Sequence, residues 1–158
     1  MQKTIGNELT VTYDEAFHEM SEEEIREMDL LNEAPLLSLS DPDRHMIITF
    51  GSQKLNGLSA MMLSGKDIAK RNEEAVRNAM TVPYNYQLSE FVKTDAGGKE
   101  ANGFRYTYTA KNTEMTGEVL AVKNGKNIWY CNSYFRTESA DECIRIFHEI
   151  IGSSQWTA

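Results

Sequence analysis

The sequence has little that could staple a fold or hold a metal. Of 158 residues two are cysteine, Cys131 and Cys143, and three are histidine. The cysteines form no Cys-x-x-Cys pair and no framework of the secreted kind. Asp41, Asp43 and His45 alternate acid and imidazole, but they lie on a Pro-Asp turn entering a strand and supply fewer donors than a metal site needs. No metal and no cofactor is expected. Clustered lysine and arginine are missing too. Sixteen basic against 24 acidic residues give a net charge of −8 and a pI of about 4.9. Nucleic-acid binding rests on phosphate neutralisation by clustered cations, and attraction to an anionic membrane needs the same, so neither partner is expected. No apolar run approaches a membrane span. The N-terminal stretch MQKTIGNELTVTYDEAF lacks a basic segment followed by an apolar one. A cytoplasmic setting is expected. The glycines of DAGGKEANG lack the spacing of a phosphate loop.

What is present describes an ordinary soluble chain. Its length suits a single domain spanning 1–158, and 41% apolar residues are enough for a core without cross-links. Eight methionines suit irregular packing or an adaptable binding surface, above all in Leu58 to Leu63, LSAMML.

Periodicity predicts helices near 22–31, 64–80 and 140–151. Ser21 with Glu24, Ser64 with Asp67, and Ser139 with Glu142 have capping-box spacing. Ile68, Ala75, Val76, Ala79 and Met80 share one face of the middle helix, and Pro83 stops it. The acidic first helix is read as a solvated cap, with docking of a basic partner as its alternative. Strands are expected at Ile5–Tyr13, Leu36–Leu39, His45–Ser52, Tyr84–Lys93, Gly103–Ala110, Met115–Lys123 and Lys126–Arg136. TDAGGKEANG reads as a glycine-rich connection. Short connections favour antiparallel pairing. The fold class is therefore α+β, an α/β/α sandwich around a mainly antiparallel sheet of about six or seven strands.

The stretch Glu118 to Arg136, EVLAVKNGKNIWYCNSYFR, reads as a hairpin turning at Asn124-Gly125. That turn would set Val122 against Asn127, Leu120 against Trp129 and Glu118 against Cys131. Both faces are largely apolar, so both are covered, or one is covered and the other used. Tyr130 and Tyr134 lie on one face, and Tyr106 and Tyr108 on the neighbouring strand share a phase that would extend it. Tyrosine suits either core filling or a partner surface. Cys131 with His148 could form a thiol–imidazole pair, but a cysteine among aromatics and another on an apolar helix face are more simply small buried hydrophobes.

In layout the chain resembles the PsbP-like superfamily, which includes extrinsic photosystem proteins, a Ran-binding nuclear import factor, bacterial DcrB-type proteins and related secretion-effector chaperones. The resemblance rests on the early strand and acidic helix, SLSDPDRHMIITFG, the mid-chain helix, GFRYTYTAKNTEMTGEVLAVKNGKNIWYCNSYFR and the closing DECIRIFHEIIGSS. It implies an α/β/α sandwich and a non-enzymatic accessory role. It carries no functional residue over to this chain. The expected function is a non-catalytic protein-binding, accessory or chaperone/immunity-like module. It would use an aromatic sheet face of Tyr106, Tyr108, Tyr130 and Tyr134. Its partner would be a protein, and a homodimer is compatible. The alternative is a small-molecule carrier with a pocket between sheet and helix. An enzyme is not expected, because no convergent polar cluster stands out.

Overall fold

A computed structural model describes residues 1–27, 35–57, 62–80 and 82–157. The elements are β1 (Gln2–Ile5), β2 (Leu9–Thr12), β3 (His18–Glu19), α1 (Glu22–Glu27), β4 (Leu37–Asp41), β5 (Met46–Lys54), α2 (Gly65–Ala79), β6 (Gln87–Ala96), β7 (Lys99–Ala110), β8 (Thr113–Asn124), β9 (Asn127–Arg136), α3 (Ala140–Gly152) and β10 (Gln155–Trp156). Seven strands form an antiparallel sheet in the order β3-β4-β5-β9-β8-β7-β6, and β1-β2-β10 form a second, small sheet. Among the described residues no helix is long and apolar enough to cross a membrane.

The expected α+β sandwich is present, with differences that have local causes. Ile5–Tyr13 is not one strand. Gly6 and Asn7 both take positive φ and fold it into the β1–β2 hairpin, which β10 joins. The glycine-rich connection shrinks to Gly97-Gly98, both at positive φ, and its flanks pair as Ala96↔Lys99 and Asp95↔Glu100. Pro83 lies in a short 3-10 turn, Val82–Tyr84, so β6 starts later than Tyr84. Residues 28–31 of the first expected helix, and 58–61 of the methionine-rich stretch, lie outside the described residues.

The caps divide in the same way. Ser21 and Glu24 exchange reciprocal bonds of 3.0 and 3.1 Å. Ser64 and Asp67 close the second box. Ser139 makes no cap bond; Thr137–Ser139 instead forms a 3-10 turn leading into α3, and Glu142 turns to Arg44 at 3.0 Å.

The β8–β9 hairpin turns one residue later than its Asn-Gly signal suggests. Gly125 and Lys126 occupy the turn, Asn124 pairs with Asn127, and of these residues only Gly125 has positive φ. That is the φ pattern of a type II′ turn with glycine first. Asn124 has another use. Its Nδ2 donates to Glu8 Oε1 at 2.6 Å, while Asn127 Nδ2 donates to Oε2 at 2.9 Å, tying this turn to the small sheet. The observed pairs are Val122↔Trp129, Leu120↔Cys131 and Glu118↔Ser133. A two-residue slip leaves every side chain on its predicted face, because strand faces alternate with period two.

Candidate functional site

The two faces of the seven-stranded sheet are built differently. One meets α3 and the small sheet. Leu39, Ile48, Phe50, Leu120, Val122, Trp129, Cys131 and Phe135 pack there with Cys143, Phe147, Ile150 and Ile151, all buried. The cysteines are free thiols. Burial pushes Cys131 up to about 12 and Cys143 up to about 11, the direction opposite to that of an activated thiolate.

This apolar face contains a buried charged network centred on Glu118. Glu118 is fully buried. Its Oε1 accepts from Arg105 Nε at 2.8 Å and lies 2.6 Å from a second guanidinium nitrogen. Its Oε2 lies 2.5 Å from His148 Nε2 on α3. Arg105 also meets Glu90 at 2.5 Å. His148 therefore engages Glu118 rather than Cys131. The network joins β6, β7, β8 and α3, and nothing in the sequence marks it, since Glu118 sits in a routine alternating strand. Asp41 is similarly occupied. It meets Arg44 at 2.6 Å, and among the described residues no cluster of three potential metal ligands forms.

The other face carries all four expected tyrosines, in successive rows across the strands. Tyr106 neighbours Gly117, which neighbours Tyr134. Tyr108 neighbours Met115, which neighbours Arg136. Ala121 neighbours Tyr130. Tyr106 is core: it is 1% exposed and packs with Phe104 and Val119 against Val76 and Met80 of α2. Its ring lies over Gly117, where an added Cβ would fall 2.4 Å from Cζ and 2.5 Å from Oη. Gly117 is thus the notch that holds this phenol. Tyr108, Tyr130 and Tyr134 are half-buried. Tyr86 and Tyr108 flank Tyr106, with ring centroids 5.3 and 5.6 Å away.

The hydroxyls differ in their partners. Tyr86 Oη donates to Glu73 at 2.7 Å, and Tyr130 Oη reaches Gln53 at 3.4 Å. Among the described residues Tyr106, Tyr108 and Tyr134 place their hydroxyls against no acceptor. Burial raises all three phenols, Tyr134 to about 12, so at neutral pH each carries its proton.

Two further apolar groups rim this face. A bulge between Leu88 and Glu90 shifts the β6 register, so that Leu88 opposes Tyr106 and Phe91 opposes Phe104. Both then fall on the tyrosine side, 41% and 48% exposed, on β6, the end strand of the sheet among the described residues. Sequence reasoning missed this pair, because a three-residue spacing in a regular strand would put them on opposite faces.

This layout, with α3 and a small sheet on one face of a seven-stranded antiparallel sheet and α2 on the other, is the PsbP-like fold. The solved structures similar to it include cyanobacterial PsbP (CyanoP) from Synechocystis sp. PCC 6803, at 11% identity and TM-score 0.68, covering 99% of this chain and 92% of that one. LpqN of Mycobacterium tuberculosis, involved in cell envelope biogenesis, matches at 12% identity and TM-score 0.67 over 95% and 83% of the two chains. A structure from Bacteroides thetaiotaomicron VPI-5482 matches at 14% identity and TM-score 0.61 over 98% of this chain and 47% of that one. No protein-family model and no curated protein sequence matches the chain.

Proposed function

We propose that this chain is a non-catalytic accessory module that binds a protein partner through the tyrosine face of its seven-stranded sheet. The observation that carries the reading is the open part of that face. Tyr108, Tyr130 and Tyr134 stay half-buried although Tyr130 packs in a cluster with Ile68 of α2 and Tyr108 in one with Val76 and Met80, and Leu88 and Phe91 are exposed at the rim. Aromatic groups with polar tips, set beside apolar ones, are the composition of protein-binding patches. The Leu88–Phe91 edge also suits addition of an extended segment to the sheet.

The test is affinity capture from the source cell, comparing wild type with the Tyr130→Ala/Tyr134→Ala double variant. A protein held by wild type and released by a variant with unchanged far-UV spectrum and melting temperature supports the reading. Equal retention by the two would place the partner elsewhere, and joint loss of fold and binding would return these tyrosines to the core.

A second reading, a small-molecule carrier, has one observation in its favour. An open cleft of about 530 Å³ is lined by Tyr13, Phe17, Arg44, Arg145, Ile146 and Ile150 among others. It lies between α3 and the chain leaving β2, not between the seven-stranded sheet and a helix. Its arginines are already paired, Arg44 with Asp41 and Glu142, and Arg145 with Glu149. A ligand seen in native mass spectrometry and absent after denaturation would favour this reading over the first.

A further inference from the structure

The reading above leaves the chemistry of the partner open, and one corner of the tyrosine face narrows it. Tyr106 fills the notch over Gly117, and beside it the half-buried Tyr108 and Tyr134 have hydroxyls with no acceptor among the described residues. Arg136 follows two residues after Tyr134, and β-strand alternation puts both on one face. It lies across Met115 from Tyr108. Its ion pair is loose: Glu138 stands 3.8 Å away on a side chain 75% exposed. The acid buried on this face, Glu73, is already held by Tyr86 and Arg77, and Glu118 faces α3. The corner therefore offers the Tyr108 and Tyr134 phenols as donors and the Arg136 guanidinium, with apolar walls from Met115 and the tyrosine rings.

We propose that this corner is a seat for a carboxylate carried on an apolar or aromatic body, presented by the partner segment as an acidic side chain or a chain terminus. The proposal rests on the protein-binding reading and specifies its ligand. A carboxylate has several acceptor sites for phenol and guanidinium donors, and Arg136 can meet it with two parallel bonds. The ring faces and Met115 take the apolar body. An aromatic cage for a cation is the competing use of clustered tyrosines. It is disfavoured because a guanidinium already stands at this corner, and the carboxylate paired with it, Glu138, is 75% exposed.

The probes are 3-phenylpropionate and its neutral counterpart 3-phenylpropionamide, titrated into isotope-labelled full chain and followed by amide shifts. The acid is expected to move Gly117, Tyr134 and Arg136. It should bind about tenfold more tightly than the amide, the worth of roughly one charge-assisted hydrogen bond. Arg136→Gln should remove that preference, and Tyr134→Phe should weaken it while keeping the ring. Both variants are checked for native spectra in the same experiment. Equal titration by acid and amide overturns the seat, as do shifts confined to the Tyr13–Ile150 cleft or no shifts at all.

The two proposals fail separately. Should a captured protein partner bind Arg136→Gln as well as wild type, the seat falls and the protein-binding reading stands. Should 3-phenylpropionate bind with the expected preference while no partner depends on Tyr130 and Tyr134, the protein-binding reading falls and takes with it the assignment of the carboxylate to a partner segment, leaving a site for a free carboxylate.

Discussion

The α3 face and the α2 face of the sheet bury aromatic groups of similar size, yet they treat polar atoms in different ways. On the α3 side, aliphatic and aromatic side chains close over two carboxylates: Glu118, fully buried and engaged by Arg105 and His148, and Asp41, 1% exposed and held by Arg44. On the α2 side, three phenols carry hydroxyls without partners among the described residues, and α2 packs over β7 and β8, while Tyr130 and Tyr134 on β9 remain half-buried. Neither burial nor hydrogen-bond satisfaction alone separates a core from a binding face: Tyr106 is 1% exposed with an unpartnered hydroxyl, whereas Tyr108 and Tyr134 combine an unpartnered hydroxyl with a half-buried ring. The division is not perfect. Trp129 Nε1 and Ser133 Oγ on the α3 side are buried without partners among the described residues. They differ from Tyr108 and Tyr134 in being sealed inside the core, where no ligand reaches.

The sharpest way to test the contrast is to break the satisfied side. Glu118→Ala leaves Arg105, whose side chain is 18% exposed, and His148 without their shared carboxylate. Removing one member of a buried charged pair costs about 3–5 kcal/mol, to be read from the midpoint of chemical denaturation. A loss below about 1 kcal/mol, in the range of an exposed ion pair, would mean that the network is wetter than its geometry implies and would dissolve the comparison. Gly117→Ala probes the other face with a smaller effect. Its Cβ would meet the Tyr106 ring at 2.4 Å, and overpacking of this kind costs about 1–3 kcal/mol. Adding Tyr106→Leu to Gly117→Ala should recover part of that loss. If it recovers none, the notch is not what requires glycine at this position.

How much of this was legible depended on whether the signal was local. The Ser64–Asp67 box lies within four residues, and α2 begins where it says. The face of every β8 and β9 side chain was also legible, because alternation survives a two-residue slip. The β8–β9 register was not. Asn124 mimics a turn residue but serves as a donor to Glu8, a partner 116 residues away. Ile5–Tyr13 looked continuous because its break depends on two adjacent positive-φ residues. Within the candidate site, the four tyrosines could be assigned to one face, but not sorted into Tyr106 inside and three others half out. That sorting depends on where α2 crosses the sheet. The Leu88–Phe91 rim required a bulge, and the Glu118 network required knowing that α3 lays His148 over β8. Each of these is a long-range packing outcome with no periodic trace.

The smallest predicted effects are the most telling, because they compare phenols on the same face. Tyr86 and Tyr134 both tolerate removal of one oxygen without loss of ring packing. Tyr86→Phe removes the 2.7 Å bond to Glu73, a carboxylate 6% exposed, and leaves it with Arg77 at 3.4 Å. Loss of a hydrogen bond to a charged group should cost about 1.5 kcal/mol. Tyr134→Phe removes a hydroxyl that bonds to nothing described in the chain. Its stability should therefore stay within about 0.5 kcal/mol of wild type, as for a substitution that breaks no native interaction. Paired denaturation curves of the two variants measure this difference directly. If Tyr134→Phe proves as costly as Tyr86→Phe, its hydroxyl has a structural partner and the α2 face is an ordinary core. If Tyr134→Phe leaves stability unchanged while partner or 3-phenylpropionate binding falls, that hydroxyl acts in recognition and not in folding.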